Sequence, residues 1–104
     1  MENEPVTVTR ALYNIVWDVA GRSRVSAAWF HLEEGQQIAV IASMIPANVL
    51  VRVGLERDNG IRRYVEGTNL INHTFDISEE GNYRIYIQND TYTDVSVEGS
   101  YLIK

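Results

Sequence analysis

Few side chains in this sequence have the chemistry that catalysis requires. Histidine, the most common general base, occurs only as His31 and His73, and neither lies in a recognised nucleophile motif. The 104-residue chain has no cysteine, so it has neither a thiolate nucleophile nor a cysteine-bound metal. Its one lysine is the last residue, Lys104, which excludes Schiff-base chemistry at an interior lysine. We therefore predict that the protein is not an enzyme and has no cofactor.

Carboxyl groups are more numerous, but they lie where turns are expected. Glu33-Glu34 and Glu79-Glu80 could act as acid and base only if burial separated their pKa values. Calcium prefers oxygen ligands from acidic loops, and three segments offer them: Asp58-Asn59-Gly60, Glu79-Glu80, and Asn89-Asp90 with Asp94. None has EF-hand spacing, and Asp, Asn and Gly favour turns for backbone reasons alone. We assign no metal site, and a turn that binds calcium stays the alternative.

Aromatic side chains are the feature that most suggests binding. Trp and Tyr can stack on a sugar ring or anchor a protein partner, because they offer a large contact area at little entropic cost. The chain has more of them than one small core needs: Tyr13, Trp17, Trp29, Tyr64, Tyr86, Tyr92 and Tyr101. Trp29 and His31, with Arg84 and Tyr86 from another strand, alternate toward expected outward faces. We predict that these four side chains bind a carbohydrate or protein ligand. A one-residue shift in register would instead turn Trp29 toward the core.

The elements that must position these residues are β-strands, because apolar residues recur at every second position between turn signals. No stretch shows a helical stripe. The pattern predicts about eight strands, over residues 6–19, 25–33, 37–45, 48–57, 61–66, 70–77, 83–88 and 95–103. Short strands with one polar side each are typical of two packed antiparallel sheets. We predict an all-β fold, an antiparallel, jelly-roll-like β-sandwich, as a single domain over residues 1–104.

The residue patterns of three of these segments allow more specific predictions. The first is long enough to bend or to pass from one sheet to the other. Residues 37–45 are almost continuously apolar, which predicts a central strand covered on both sides. In residues 48–57 the two sides differ in chemistry, since Val49, Val51, Val53 and Leu55 alternate with Leu50, Arg52, Gly54 and Glu56. The Asn59-Gly60 pair that follows predicts a hairpin.

Charge and hydropathy exclude two classes of partner. The formal net charge is −5, which repels a phosphate backbone, so we expect no nucleic-acid ligand. No apolar run reaches the roughly 18 residues of a membrane span. A second function remains open, because residues 37–45 and the two long terminal strands offer edges for association. The alternative prediction is a structural or surface protein that forms homo-oligomers.

Four segments together suggest a family: WFHLEEGQQIAVIA, NVLVRVGLERDNG, HTFDISEEGNYRIYIQN and VEGSYLI. In this order they resemble the small jelly-roll β-sandwiches of bacterial exported proteins, most nearly the prepeptidase C-terminal domains, over roughly residues 28–103. The resemblance depends on apolar strand positions and turn glycines, so it concerns the fold more than the activity. It implies a noncatalytic binding or accessory module. This chain departs from the family at Asn48-Val49, where the family tends to carry an acidic residue. Because that acid is missing, the resemblance does not imply a metal site here.

The same resemblance implies an extracellular location. Glu2-Asn3-Glu4-Pro5 is interpreted as the polar start of a mature chain, with Met1 in place of a removed signal peptide.

Overall fold

The computed structural model describes residues 6–7 and 9–104, which contain ten β-strands and no helix. Among these residues no helix is therefore long and apolar enough to cross a membrane. The expected mature start at residues 2–5 lies outside the described residues. The strands are β1 (Val6–Thr7), β2 (Ala11–Val19), β3 (Ser23–Ser26), β4 (Phe30–Leu32), β5 (Gln37–Ile45), β6 (Val51–Arg57), β7 (Arg62–Gly67), β8 (Leu70–Asp76), β9 (Gly81–Asn89) and β10 (Val95–Ile103).

The strands form two sheets that pack face to face. One has the order β2-β10-β5-β8 and the other the order β1-β4-β9-β6-β7, with β3 pairing with β9 beside β4. All pairs are antiparallel except the short β1–β4 pair. From β2 onward the chain alternates between the sheets, apart from β3 and β4, which lie in the same sheet, and the β6–β7 hairpin. With β3 and β4 counted as one interrupted strand and the two-residue β1 left out, eight strands remain, as in a jelly roll, which confirms the predicted fold class.

The first predicted segment does change sheets. β1 pairs in the six-stranded sheet and β2 in the four-stranded sheet, with a bend at Thr9 and Arg10 between them. The second predicted segment, 25–33, is interrupted. Ser26 lies opposite Tyr86 and Phe30 opposite Tyr83, so this side of the ladder contains one residue more than β9 does. The extra residue shifts the alternation, and Ala28 is exposed.

The core lies between the sheets and follows the predicted alternation in most strands. The alternating apolar residues of four segments are buried, in a set that includes Val49, Val51, Val53, Leu55, Ile71, Phe75, Ile77, Tyr83, Ile85, Ile87, Val95, Val97, Tyr101 and Ile103. Tyr13, Phe30 and Tyr101 form an aromatic group inside it, with Tyr13 at 5.0 Å from Phe30 and 5.2 Å from Tyr101 between ring centroids. Burial there, and then the neighbouring Tyr13, raises the pKa of Tyr101 to about 12.

β5 departs from its prediction. It is an interior strand of the four-stranded sheet, between β10 and β8. Only one of its sides is covered, because Ile41 and Ile45 point away from the core and Ile45 is 64% exposed. The apolar run was misleading because a strand covered on one side can still carry apolar residues on the other.

The predicted hairpin joins β6 to β7. Gly60 adopts a φ of 91°, and its N–H donates to the carbonyl of Arg57 at 2.9 Å. The N–H of Arg57 then donates to the carbonyl of Ile61 at 2.9 Å. Glycine is required here because a side chain strains a backbone with positive φ.

Candidate functional site

The outward side of the six-stranded sheet carries most of the predicted site residues. Strand register places its side chains in rows that cross β3 or β4, β9, β6 and β7. The first row is Arg24, Gln88, Arg52 and Glu66; the second is Ser26, Tyr86, Gly54 and Tyr64; the third is Arg84, Glu56 and Arg62, with Trp29 against Arg84; the fourth is His31 and Asn82. We call the first three rows the arginine face.

Tyr86 lies at the centre of this face, but it is not exposed. Its ring lies against Gly54, where a Cβ atom would be 2.3 Å from the ring. The guanidinium groups of Arg24 and Arg62 lie 5.6 and 5.9 Å from the ring centroid, and the side chain is only 1% exposed. Burial raises the pKa of the Tyr86 hydroxyl, against the opposing effect of Arg62 and Arg24. Tyr86 lies on the outward side of the sheet, as predicted. It is buried there and not exposed, because Gly54 has no side chain and leaves space that the Tyr86 ring fills.

Trp29 and Arg84 are brought together as predicted. The Arg84 guanidinium lies 4.4 Å from the Trp29 ring centroid, a cation–π distance, and both side chains are half-buried. Trp29 therefore lies on the outward side of the sheet and not in the core. The same guanidinium donates through Nε to Oε1 of Glu56 at 2.8 Å, so its orientation is fixed from a second direction.

Glu56 connects two of the arginines below the surface. It is 7% exposed, and its carboxylate contacts Arg84 at 2.8 Å and Arg62 at 3.1 Å. Burial by itself raises the pKa of Glu56, but the hydrogen bonds and charges of Arg84 and Arg62 outweigh burial, and the pKa is lowered overall. A buried carboxylate with two cationic partners holds both guanidinium groups in place.

His31 lies one row away and belongs to a separate hydrogen-bonded group. Its Nδ1 is 3.0 Å from Oδ1 of Asn82 and its Nε2 is 2.8 Å from Oε2 of Glu80. The Asn82 amide donates to Asp58 at 2.9 Å, which leaves its oxygen to accept from His31. Both ring nitrogens thus face acceptors, an arrangement that favours the charged imidazolium. The pKa of His31 is raised above 6.5, first by Asn82 and then by Glu80.

This arrangement predicts a pH dependence. The pKa of His31 is higher in the folded protein than its ordinary value of 6.5, so the protonated ring stabilises the fold. This stabilisation is fully present below pH 6.5 and is lost as the pH rises through the pKa of the folded protein. We expect the melting temperature to fall over that interval and the His31→Gln variant to lack this decline. Titration of the His31 ring by NMR measures the pKa directly. A value of 6.5 or below would contradict the hydrogen-bonded arrangement.

The loop after β9 borders the first row of the arginine face. Asn89 is fully buried and holds this loop through its side-chain amide. Arg22, from the turn before β3, donates through Nη1 to the carbonyl oxygen of Asp90 at 2.6 Å and lies 5.2 Å from the Tyr92 ring centroid. Tyr92 is 88% exposed. Arg22 itself has a φ of 61°, a conformation that costs a residue with a side chain about 1 kcal/mol.

A shallow depression of about 310 Å³ connects this loop to the arginine face. Its lining consists of Arg22, Ser23, Arg24, Arg62, Gln88 and Asp90.

The sequence-based site omitted several of these residues. Arg24, Arg52, Arg62 and Tyr64 occupy the arginine face beside the predicted Trp29 and Arg84. Tyr64 is 47% exposed, with the Arg52 guanidinium 4.5 Å from its ring centroid. The alternation in residues 48–57 already placed Arg52 on the polar side of its strand. What the sequence lacked was the order of strands, which puts Tyr64 on the same sheet.

The acidic turns have other partners within the fold. Glu79 contacts Arg57 at 2.6 Å, Asp58 accepts from the Asn82 amide, and Asp94 accepts from the N–H of Gly21 at 2.9 Å. Within residues 9–104, no three histidine or acidic side chains converge on a position that could hold a metal ion.

Comparison with solved structures supports the fold. The chain superposes on the pre-peptidase C-terminal domain of a Bacillus anthracis collagenase, with 15% identity, a TM-score of 0.56, and coverage of 100% of this chain and 96% of that one. The CBM36-1 domain of a multidomain xylanase from the hindgut metagenome of Trinervitermes trinervoides gives 13% identity, a TM-score of 0.56, and coverage of 91% and 96%. For PliG, a periplasmic inhibitor of g-type lysozyme from Aeromonas hydrophila, the values are 10%, 0.58, and 96% of each chain.

These similarities establish the β-sandwich architecture. The resemblance to prepeptidase C-terminal domains is confirmed at the level of the fold. Carbohydrate-binding modules are among the structural neighbours, so the chain has a fold that such noncatalytic modules also use. No protein-family model matches the chain, and neither does any curated protein.

Proposed function

We propose that this protein is a noncatalytic, extracellular binding module that holds a carbohydrate on the arginine face. One observation carries the proposal: Trp29 and Tyr64 lie on the same side of one sheet, each with an arginine guanidinium against its ring. A sugar needs an apolar surface for its ring carbons and hydrogen-bonding groups for its hydroxyls. The arginine face offers both.

The spacing of the two aromatic residues suits an extended ligand. Trp29 lies beside β9 and Tyr64 lies on β7, so about 14 Å of sheet separates them at about 4.8 Å between strands. Between them lie the guanidinium groups of Arg84 and Arg62 and the carboxylate of Glu56. A chain of sugars could contact both rings and reach this polar group. We therefore expect an oligosaccharide and not a single sugar.

The arrangement also has the rigidity that binding favours. Arg52 is held by Glu66 at 2.7 Å, and the pKa of Arg52 is raised first by that hydrogen bond. Because side chains that are already ordered lose less entropy on association, the face is organised before a ligand arrives. Tyr86 contributes as a support beneath Arg24 and Arg62, without touching the ligand.

The variant Tyr64→Ala tests this proposal on the exposed ring. Loss of a stacking aromatic at a binding surface costs more than about 1 kcal/mol, so we expect affinity for the bound glycan to fall about tenfold. Leu70→Ala is the matched control, since Leu70 is similarly exposed on the outward side of the other sheet. A glycan array identifies the ligand, and titration calorimetry measures the affinity of each variant.

Trp29 provides a second readout. In a Trp17→Phe background Trp29 is the only tryptophan, so its fluorescence reports the arginine face alone. We expect an emission change on addition of the array's strongest glycan. The proposal is wrong if no glycan binds, or if Tyr64→Ala and Leu70→Ala bind equally well. In the first case a protein ligand becomes the better hypothesis, since Arg and aromatic residues also dominate protein interfaces.

A second candidate function depends on the outward side of the four-stranded sheet. It exposes five large apolar side chains: Leu12, Val16, Ile41, Ile45 and Leu70. The expectation that β5 and β10 offer free edges is wrong, because both are paired on two sides, whereas β2 is an edge strand within the described residues. Packing of this side against a second copy would make the protein a self-associating surface protein. Light scattering tests this, since a concentration-dependent dimer that Val16→Asp disrupts would favour it.

A further inference from the structure

We propose that the glycan bound by the arginine face is acidic, and that its carboxylate groups occupy the depression beside Arg22, Arg24 and Arg62. This inference rests on the proposed function and specifies the class of ligand. It depends on the distribution of charged residues and on the contacts that hold each arginine in place.

The arginine face and the loop beside it are positive on a negative protein. Among the described residues of this region, five arginines face four acids: Arg22, Arg24, Arg52, Arg62 and Arg84 against Glu56, Glu66, Asp90 and Asp94, whose carboxylate accepts from the N–H of Gly21. The whole chain has a formal net charge of −5. Cationic groups collected on one face of an acidic protein attract anions to that face and repel them elsewhere.

The acidic side chains in this region form ion pairs with only some of the arginines. Glu56 is shared by Arg84 and Arg62, and Glu66 is bound to Arg52. The Asp90 carboxylate lies 3.7 Å from Arg52 and accepts from the Gln88 amide at 2.8 Å. These contacts leave the depression with more positive charge than negative charge in its lining.

Arg22 and Arg24 are positioned by groups that do not neutralise them. Arg22 donates to the backbone carbonyl of Asp90, which orients the guanidinium and leaves its charge intact. In the part of the chain that the structure describes, Arg24 makes no ion pair, and its guanidinium lies over the Tyr86 ring. An arginine held by a carbonyl or a ring keeps donors available for an anion.

The shape of these groups fits a carboxylate. A guanidinium presents parallel N–H donors in one plane, which match the two oxygens of a carboxylate. Tyr92 lies against Arg22, which lines the depression, and Tyr64 lies against Arg52, in the same row as Arg24 and Gln88. These rings are available to the sugars that carry the carboxylates. A uronic acid chain combines both features.

Calorimetry with a matched pair of ligands tests the inference. The probes are a hexamer of galacturonic acid and the same hexamer as its methyl ester, which keeps the sugar chain and removes the charge of each carboxyl group. At low salt we expect the acid to bind at least tenfold more tightly than the ester. We expect Arg24→Gln to weaken binding of the acid about threefold to fivefold, as partly exposed ion pairs do, and to weaken binding of the ester by a smaller factor. Arg10→Gln, in the bend before β2 and outside the arginine face, is the control and should change neither.

The outcomes separate this inference from the proposed function. If acid and ester bind equally and Arg24→Gln has no effect, the inference of an acidic ligand is wrong, while the proposal that the arginine face binds a glycan stands. Binding of neither hexamer also overturns the inference, and the glycan array then decides the proposed function independently. If a sulfated galactan without carboxyl groups binds more tightly than the acid, the depression binds sulfate, and the proposal of a carboxylate is wrong. The inference holds if the acid is preferred and Arg24→Gln removes part of that preference.

Discussion

Asn89→Ala is expected to lower the free energy of unfolding by about 3 kcal/mol, because it removes several buried hydrogen bonds at once. The Asn89 Nδ2 donates to the carbonyl oxygens of Val19 at 3.3 Å and Thr93 at 2.7 Å. Its Oδ1 accepts from the N–H of Thr91 at 3.0 Å and from the Thr91 hydroxyl at 2.7 Å. Alanine leaves these groups without the partner that replaced water.

Urea unfolding measures this effect, and Asn72→Ala is the control. Asn72 is exposed on the outward side of β8, so its replacement should change the stability by less than about 0.5 kcal/mol. Asn89→Ala should also weaken ligand binding, since the same loop positions Asp90 and Tyr92 beside Arg22. If both variants unfold at the same urea concentration, the loop is not held by Asn89.

Gly54→Ala is the second variant with a large expected effect, a loss of about 2 kcal/mol. The new Cβ would lie 2.3 Å from the Tyr86 ring, which would have to leave its position. The ring is enclosed by Arg24 and Arg62, so its displacement also disturbs the arginine face. We expect reduced stability and reduced glycan affinity from this one methyl group.

A double-mutant cycle with Tyr86→Ala isolates the contact. In the Tyr86→Ala background, Gly54→Ala meets no ring, and alanine in place of glycine in a strand should then be neutral or mildly stabilising. The cost of Gly54→Ala should therefore disappear. An equal loss of stability in both backgrounds would show that Gly54 is needed for a reason other than the Tyr86 ring.

Much of the fold could be predicted from the sequence because burial on one side of a strand imposes a period of two. Val51, Val53 and Leu55 are buried for this reason, and the Asn59-Gly60 pair marks the hairpin. The interruption after Ser26 could not be predicted, since an extra residue in one strand is visible only against the strand it pairs with.

The candidate site could be predicted only in part. The outward direction of Trp29 and Arg84 follows from alternation within each strand. The burial of Tyr86 does not, because it depends on Gly54 in a strand about 30 residues earlier in the chain. The depression at Arg22 also brings together segments distant in sequence, so it required the order of strands in the sheet.

The location of the ligand is tested most directly by NMR. Amide chemical shifts of the ¹⁵N-labelled protein are followed during titration with the strongest glycan from the array. We expect the shifts to concentrate on β9, β6 and β7, at positions that include Gly54 and Tyr64. Shifts concentrated instead on the outward side of the four-stranded sheet, around Val16, Ile41 and Leu70, would contradict it.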